Sequence, residues 1–444
     1  MKINVVQKIH THEGARAKQI NPELQLRRSV CACMLFEDTF YEEGETIAER
    51  ILDVIPKVEP DKVAQLAVEA RTKFKLRHVP LLIVRGMANR KSHRHLVAKT
   101  LEEIIQRPDE LTEFLAIYWK DGRAPLSAQI KKGLARAFPK FDAYQLAKWD
   151  KPGSIRLRDV LFLCHAKPKD ETQAELWKKL VDSSLPVPDT WEVSLSASKG
   201  KDKKEEWTRL ISENKLGSLA LLLNLRNMLN CSVDRSLIKN AISKMRTERV
   251  LPFRFIAAAQ HAPSLEPELE AKLIESLKEK EKLKGETILL VDVSRSMSGP
   301  LSGKSKMDQQ DAAAGVAMVA REICENVRVA TFSNQVVEVP PRRGFGLRNA
   351  MRNSQPSGGT YIGAAVTWAR KQSPDRIIVI TDEQSHDGVP DPNAAAKGYV
   401  INVAPYRNGV GYGAWKHVNG FSESVLDYIR EIENIEKESE RSIS

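Results

Sequence analysis

The sequence predicts an α-helical repeat array followed by a Rossmann-like α/β domain with a parallel sheet. Three observations lead there. Apolar residues recur at helical spacing over residues 22–284, the pattern switches after Gly285 to β-rich runs alternating with helices, and all the excess positive charge lies in the first part. At 444 residues the chain is longer than one hydrophobic core ordinarily serves, so two packed units are expected, 1–285 and 286–444.

In the first part VAQLAVEARTKF, LVAKTLEEII, ELTEFLAIYW, LSAQIKKGLARAF, IRLRDVLFLC, GSLALLLNLRNML and SLIKNAISKM each place apolar side chains on one helical face. Breaks at Pro56, Pro60, Pro108, Asp121-Gly122, Pro152-Gly153, Pro168 and Pro252 separate them. Many short amphipathic helices joined by tight turns, with almost no alternating β pattern, predict a stacked helical array. The charged segment SASKGKDKKEEW (196–207) reads as an exposed loop.

Beyond Gly285 come a strand (ETILLVDV, 286–293), a helix (QQDAAAGVAMVAREICE), a strand (VRVATFS), a helix (YIGAAVTWARKQ) and two further strands (DRIIVITD and GYVINVAP). Such alternation predicts a parallel sheet with helices on both faces and ligand sites at the C-terminal strand ends. The last residues, EIENIEKESERSIS, read as the frayed end of a helix.

No run of ~18 uncharged apolar residues offers a membrane span, and the N-terminal residues lack a signal-peptide pattern, so a cytoplasmic protein is expected. Cys31, Cys33, Cys164, Cys231 and Cys324 are odd in number and scattered among apolar neighbours, which fits a reducing compartment. Cys31 and Cys33 lack a second Cys or His pair at zinc-ligand spacing and read as two small buried residues.

Residues 1–285 carry 51 Lys and Arg against 39 Asp and Glu, whereas residues 286–444 carry 18 against 19. A basic domain beside a neutral one points to a polyanion for the first. Between Glu69 and Glu102 no acidic residue interrupts Arg71, Lys73, Lys75, Arg77, Arg85, Arg90, Lys91, Arg94 and Lys99. Further clusters run through Lys131, Lys132, Arg136 and Lys140, and through Lys148, Lys151, Arg156, Arg158, His165, Lys167 and Lys169. An acid-free run of this length is costly in self-repulsion unless an anion meets it, and nucleic acid is the expected anion. Phe138, Phe141, Tyr144 and Trp149 lie among these cations, where each serves either as a stacking platform for unpaired bases or as core.

Asp292-Val293-Ser294-Arg295-Ser296 stands at the C-terminal end of the first predicted strand, Gly358-Gly359-Thr360 precedes a helix, and Thr381-Asp382 ends the strand IIVI. Three separated segments thus bring five oxygen groups to strand ends with no His or Cys, which suits Mg²⁺ or Mn²⁺. The nearby Gly299-Pro300-Leu301-Ser302-Gly303-Lys304-Ser305 has three residues between its glycines where a phosphate-cradling loop needs four. A two-metal nuclease would need clustered carboxylates and a general base, whereas only Asp292, Asp382 and the adjacent Glu383 are available, so no enzymatic activity is expected.

The order and placement of these segments resemble the metal-ion-dependent adhesion site of von Willebrand factor A domains. The resemblance implies that Ser294, Ser296 and Thr360 touch the metal directly and that Asp292 and Asp382 hold it largely through water. An acidic group of a partner would then fill the open position.

Helical repeats joined to such a domain resemble the Ro autoantigen (TROVE) family, in a bacterial or phage version, over essentially the whole chain. Supporting segments include YEEGETIAERI (41–51), LRHVPLLIVRGMA (76–88), RDVLFLCHAKP (158–168), LPFRFIAAA (251–259), SGGT (357–360) and ITDE (380–383). The resemblance implies a ring of HEAT-like repeats bridged by the A domain. It implies binding of small noncoding Y-type RNAs on the basic surface and of the single-stranded 3′ ends of misfolded RNAs in a central hole, as a monomer acting in RNA quality control or as a ribonucleoprotein scaffold. Lys148 and His165 match the family's RNA-contacting motif; Lys132 and Arg136 lie on the preceding helix, and Lys167 within the His-x-Lys-Pro element. Where the family often has Arg four positions after the first Lys, this chain has Pro152, so that Lys151 substitutes or the contact is absent. The exonuclease polynucleotide phosphorylase, tethered through RNA, is an implied partner. The alternative is a metal-dependent protein-adhesion module without an RNA role.

Overall fold

Every described element before Leu283 is helical, and the change to strands falls where the apolar period changes. In the computed structural model the described residues are 10–11, 13–15, 21–32, 44–187, 189–197, 203–248, 250, 252–278, 280–300, 307–404, 409–410, 413–419, 426, 429–430 and 433. Two compact units divide near residue 200: one holds 21–37 and 43–199, the other 1–20, 38–42 and 200–444. Cys33, residues 301–306 of the glycine-flanked loop and nearly all of the C-terminal EIENIEKESERSIS lie outside the described residues.

In the helical unit each helix packs on near neighbours in sequence. Pro60–Thr72 meets Val79–Ala88 and Val97–Ile104, Val97–Ile104 meets Ala128–Ala137, and Ala128–Ala137 meets Leu157–Cys164. Nearest-neighbour stacking of this kind is what a repeat array does. Val79–Ala88 (VPLLIVRGMA) is buried along its whole length, which explains why its sequence is apolar on every face except at Arg85, whose guanidinium pairs with Asp121. Gly133 lets two helices close up: a Cβ there would lie 2.8 Å from Leu101 Cβ and 3.0 Å from the Ala98 carbonyl oxygen.

Helix ends follow local chemistry. Pro60 sits in the first turn of its helix, where a missing N–H costs nothing. Asp142 and Gln145 form a reciprocal capping box, and Asp170 accepts from the Gln173 N–H. His165 ends Leu157–Cys164 in the left-handed region, at φ 54°. The expected loop at 196–207 is corrected at its two ends, where Trp191–Ala197 and Lys203–Ser212 are helical and Trp207, Leu210 and Ile211 give the second an apolar face to bury; residues 198–202 lie outside the described residues. Charge composition alone hid that face.

In the second unit, helices Ser218–Asn230, Arg235–Lys244, Pro252–His261 and Glu266–Leu277 precede a six-stranded sheet. The strands are β1 (Leu283–Asp292), β2 (Cys324–Phe332), β3 (Val336–Glu338), β4 (Arg376–Thr381), β5 (Lys397–Asn402) and β6 (Lys416–Asn419). Their order is β3-β2-β1-β4-β5-β6, parallel except for the antiparallel β2–β3 edge. Ile288, Leu290, Ile377 and Val379 pack with helix Ile362–Arg370, while the alternate residues Leu289, Val291, Ile378 and Ile380 are buried toward the other face. There helix Gln309–Ile323 meets β1, β2 and β4. Helices Pro252–His261 and Glu266–Leu277 cover that helix in turn, so Arg321 is its only residue that is not buried. β1 and β4 lie side by side at the centre, and their C-terminal ends carry four of the predicted metal residues, Asp292, Ser294, Ser296 and Asp382, while Thr360 lies in the loop before helix Ile362–Arg370.

Candidate metal centre and nucleic-acid interface

The sheet register brings two of the three metal segments together directly. Val291 pairs with Ile380, so Asp292 and Thr381 fall side by side on one face, and Thr381 Oγ1 donates to Asp292 Oδ2 at 2.6 Å. Asp292 Oδ1 accepts from the Ser294 N–H at 2.9 Å, and the Ser294 and Ser296 hydroxyls stand 3.1 Å apart. The Arg295 N–H donates to the Gly358 carbonyl at 2.9 Å, which binds the first loop to the second. The His386 N–H donates to the Thr360 carbonyl at 2.8 Å, which binds the second to the third. Asp292, Ser294, Thr360 and Asp382 are buried and Ser296 nearly so.

Several residues that hold this arrangement carry no sequence signature. Gln310, on the first turn of its helix, reaches Ser298 Oγ and Ser357 Oγ at 3.3 and 3.4 Å through Nε2. Ser333 Oγ accepts from the Gly358 N–H at 2.7 Å and Asn334 Oδ1 from the Gly359 N–H at 2.8 Å. A Cβ on Gly358 would collide with Asn334, so the glycine is needed for that approach. His386 Nδ1 accepts from the Thr360 N–H at 3.0 Å, with its ring stacked on Tyr361. The polar pair Ser333-Asn334 directly after β2 was the one available hint.

Among the described residues no group of three or more His, Cys, Asp or Glu is placed to hold a metal ion. A cation here would therefore be held with hydroxyl oxygens. The residues fit one. Burial first, and then the charge of Asp382, push the Asp292 carboxyl up to about 7, and its hydrogen-bond partners are all neutral. Two buried carboxylates that repel each other beside three hydroxyls are an environment that a divalent cation relieves.

The basic residues divide into two sets, and for Arg71, Arg77 and Arg85 this corrects the expectation that the acid-free run awaits an external anion, whereas Arg90, Lys91 and Arg94 stay exposed with no carboxylate within 4.0 Å among the described residues. Arg71 pairs with Glu110 at 2.6 Å, Arg77 with Asp109 and Glu113, and Arg85 with Asp121. The carboxylates come from residues 109–121, outside the run, so local sequence did not show the neutralisation. Lys140 donates to the carbonyls of Glu102 and Ile105, capping a helix end. Arg156 pairs with Asp150, and Arg136 lies 3.5 Å from Glu102 while remaining half exposed.

The second set faces solvent. Lys132, Lys167 and Lys169 are exposed and Lys131 partly so, and among the described residues none of the four has a carboxylate within 4.0 Å. His165 is exposed at the end of Leu157–Cys164, the helix that packs on Ala128–Ala137, which carries Lys131 and Lys132. Lys148 and Lys151 lie over the Trp149 ring at 5.6 and 5.3 Å, and Arg107 covers it at 3.9 Å. Of the four aromatics, Phe138 and Phe141 are core, Phe138 packing edge-on against Trp177 at 5.3 Å. Tyr144 is 53 % exposed and remains available for stacking.

Residues 182–330 match the TROVE domain family and residues 286–404 match the Ro60 vWA domain family. Among solved structures the chain is similar to the Ro (RSR) protein of Deinococcus radiodurans, with a TM-score of 0.58 and 18% identity over 90% of this chain and 96% of that one. No curated protein sequence matches.

Proposed function

The chain belongs to the Ro (TROVE) family with its C-terminal Ro-type vWA domain, and on that premise we propose that it is a noncatalytic RNA-binding protein. The observation that carries the proposal is the set of lysines left without internal partners: Lys131 and Lys132 on helix Ala128–Ala137, and Lys167 and Lys169 in the turn after Leu157–Cys164, the helix that packs on it. Cations already neutralised inside the fold can attract a polyanion only weakly; these four can. Small structured Y-type RNAs and the single-stranded 3′ ends of misfolded RNAs are the proposed ligands, and RNA quality control, with polynucleotide phosphorylase recruited through RNA, is the proposed setting.

In the same proposal the A domain holds Mg²⁺ or Mn²⁺ through Ser294, Ser296 and Thr360, with Asp292 and Asp382 behind them. The metal supplies a cationic coordination position for an acidic group of a partner. Exposed Arg295 and Tyr361, which is 38% exposed, flank that position and would meet the same partner. Among the described residues no helix is long and apolar enough to cross a membrane.

Crosslinking the protein to RNA in its native cell, followed by sequencing, tests the reading. Recovery of small structured RNAs, lost when Lys132 and Lys167 are replaced by Ala, is expected. Recovery of acidic proteins with no RNA overturns it in favour of the adhesion module.

A further inference from the structure

The segment that carries Thr11, Glu13 and Ala15 lies against the loop that follows β4. Thr11 Oγ1 donates to the Ser385 carbonyl at 3.0 Å, across 374 residues of sequence, and accepts from the Ala15 N–H at 3.0 Å. The Thr11 N–H donates to the Ala15 carbonyl at 2.8 Å, which closes a turn, and Thr11 and Ala15 are both buried. Gly14 stands in that turn at φ 93°, a conformation that favours glycine. From here the Glu13 carboxylate meets His386 Nε2 at 3.1 Å. The other ring nitrogen, Nδ1, faces Thr360, 3.0 Å from its backbone nitrogen and 3.3 Å from its carbonyl oxygen.

The two Thr360 groups call for opposite forms of the ring. An unprotonated Nδ1 accepts from the Thr360 N–H; a protonated one would turn its hydrogen against that N–H in order to reach the carbonyl. The carbonyl already accepts from the His386 N–H at 2.8 Å, so the N–H is the group that needs the ring. The choice is made at the far nitrogen, because the hydrogen bond of one ring nitrogen sets the state of the other, and a carboxylate at Nε2 keeps the proton there. We propose that Glu13 is a positioning residue of the metal centre, holding His386 in the Nε2–H form and thereby fixing Thr360 where it can meet the cation. The assignment rests on the reading of Thr360 as a metal residue and adds the N-terminal turn to that site. Residues that orient a metal site from behind its ligands govern affinity strongly. By linkage, a bound cation holds the turn against the loop, and whatever draws the turn away loosens the cation.

Two measurements on the full chain test this. The form of the His386 ring is read from nitrogen chemical shifts of the metal-free protein labelled with ¹⁵N-histidine, its signals assigned by their loss in His386→Ala. Affinity for Mn²⁺ is read by calorimetric titration. The wild type is expected to show an unprotonated Nδ1. Glu13→Ala is expected to show a mixture of ring forms and to bind Mn²⁺ about tenfold more weakly. Glu13 is partly exposed, so its replacement takes nothing from the core. Glu13→Gln keeps an oxygen acceptor for the Nε2–H and is expected to restore both readings. A ring form unchanged in Glu13→Ala, an unchanged Mn²⁺ affinity, or a loss that Glu13→Gln does not restore overturns the assignment. A wild-type chain that takes up no Mn²⁺ overturns the metal reading instead, and the ring form in Glu13→Ala then decides by itself whether Glu13 sets the state of His386.

Discussion

Arg71 on helix Pro60–Thr72 reaches Glu110 on helix Asp109–Tyr118 at 2.6 Å, and the carboxylate it meets is wholly buried. Burial works against ionisation of Glu110 and raises its pKa, while the N–H groups of Gln106 and Arg107 and the charge of Arg71 act in the opposite sense. Removing the guanidinium leaves a buried carboxylate without its cation, a change that costs about 3 kcal/mol or more. Arg71→Ala should therefore lower the unfolding free energy by about that amount in urea, with RNA affinity of the folded protein unchanged. Normal stability with weakened RNA binding would show that Arg71 serves the RNA instead.

The proposed metal site predicts a stabilisation that depends on Asp292. A cation that binds only the folded state at a hundred times its Kd stabilises by about 2.7 kcal/mol. Added Mg²⁺ should raise the melting temperature of the wild-type protein and leave that of Asp292→Ala unmoved. Equal shifts in both would place the cation elsewhere.

Arg376 and Glu433 make a pH prediction. They meet at 2.6 Å in the interior, where Tyr399 also donates to Glu433 at 3.1 Å. Burial pushes the Glu433 carboxyl up, but the hydrogen bonds and charge of Arg376 outweigh it, and the pKa lies below its ordinary value of 4.5. The unfolded chain then takes up the proton first as pH falls. The stabilisation is complete above the ordinary carboxylate value and is lost as pH drops through the depressed one. Glu433→Gln should lower stability at pH 7 and flatten its decline below about pH 4.5. A variant whose acid limb matches the wild type would contradict this.

How much was legible in the sequence depended on how local the determinant was. Asp292, Ser294 and Ser296 follow one another at a strand end that the alternating strand and helix patterns locate, so their coming together there could be read beforehand. β3 and β6, at three and four residues, and helix Gly344–Arg352 were not anticipated, because edge strands and short helices carry little periodic signal. The pairing of Arg71 with Glu110 spans 39 residues and could not be read from a run that was acid-free only along the chain. His386, which orients Thr360, was missed for a similar reason, since 26 residues separate the two.

The four solvent-facing lysines carry the central claim. Each phosphate they neutralise releases counterions, and for single strands log K falls with log salt by about 0.7 per phosphate contacted. Binding of a labelled single-stranded RNA should be measured from low to moderate salt for the wild-type protein and for the variant with Lys131, Lys132, Lys167 and Lys169 replaced by Ala. The account predicts a steep slope for the wild type and one shallower by up to about 2.8 for the variant. Affinity that does not change with salt, or a slope identical in the two proteins, would contradict it.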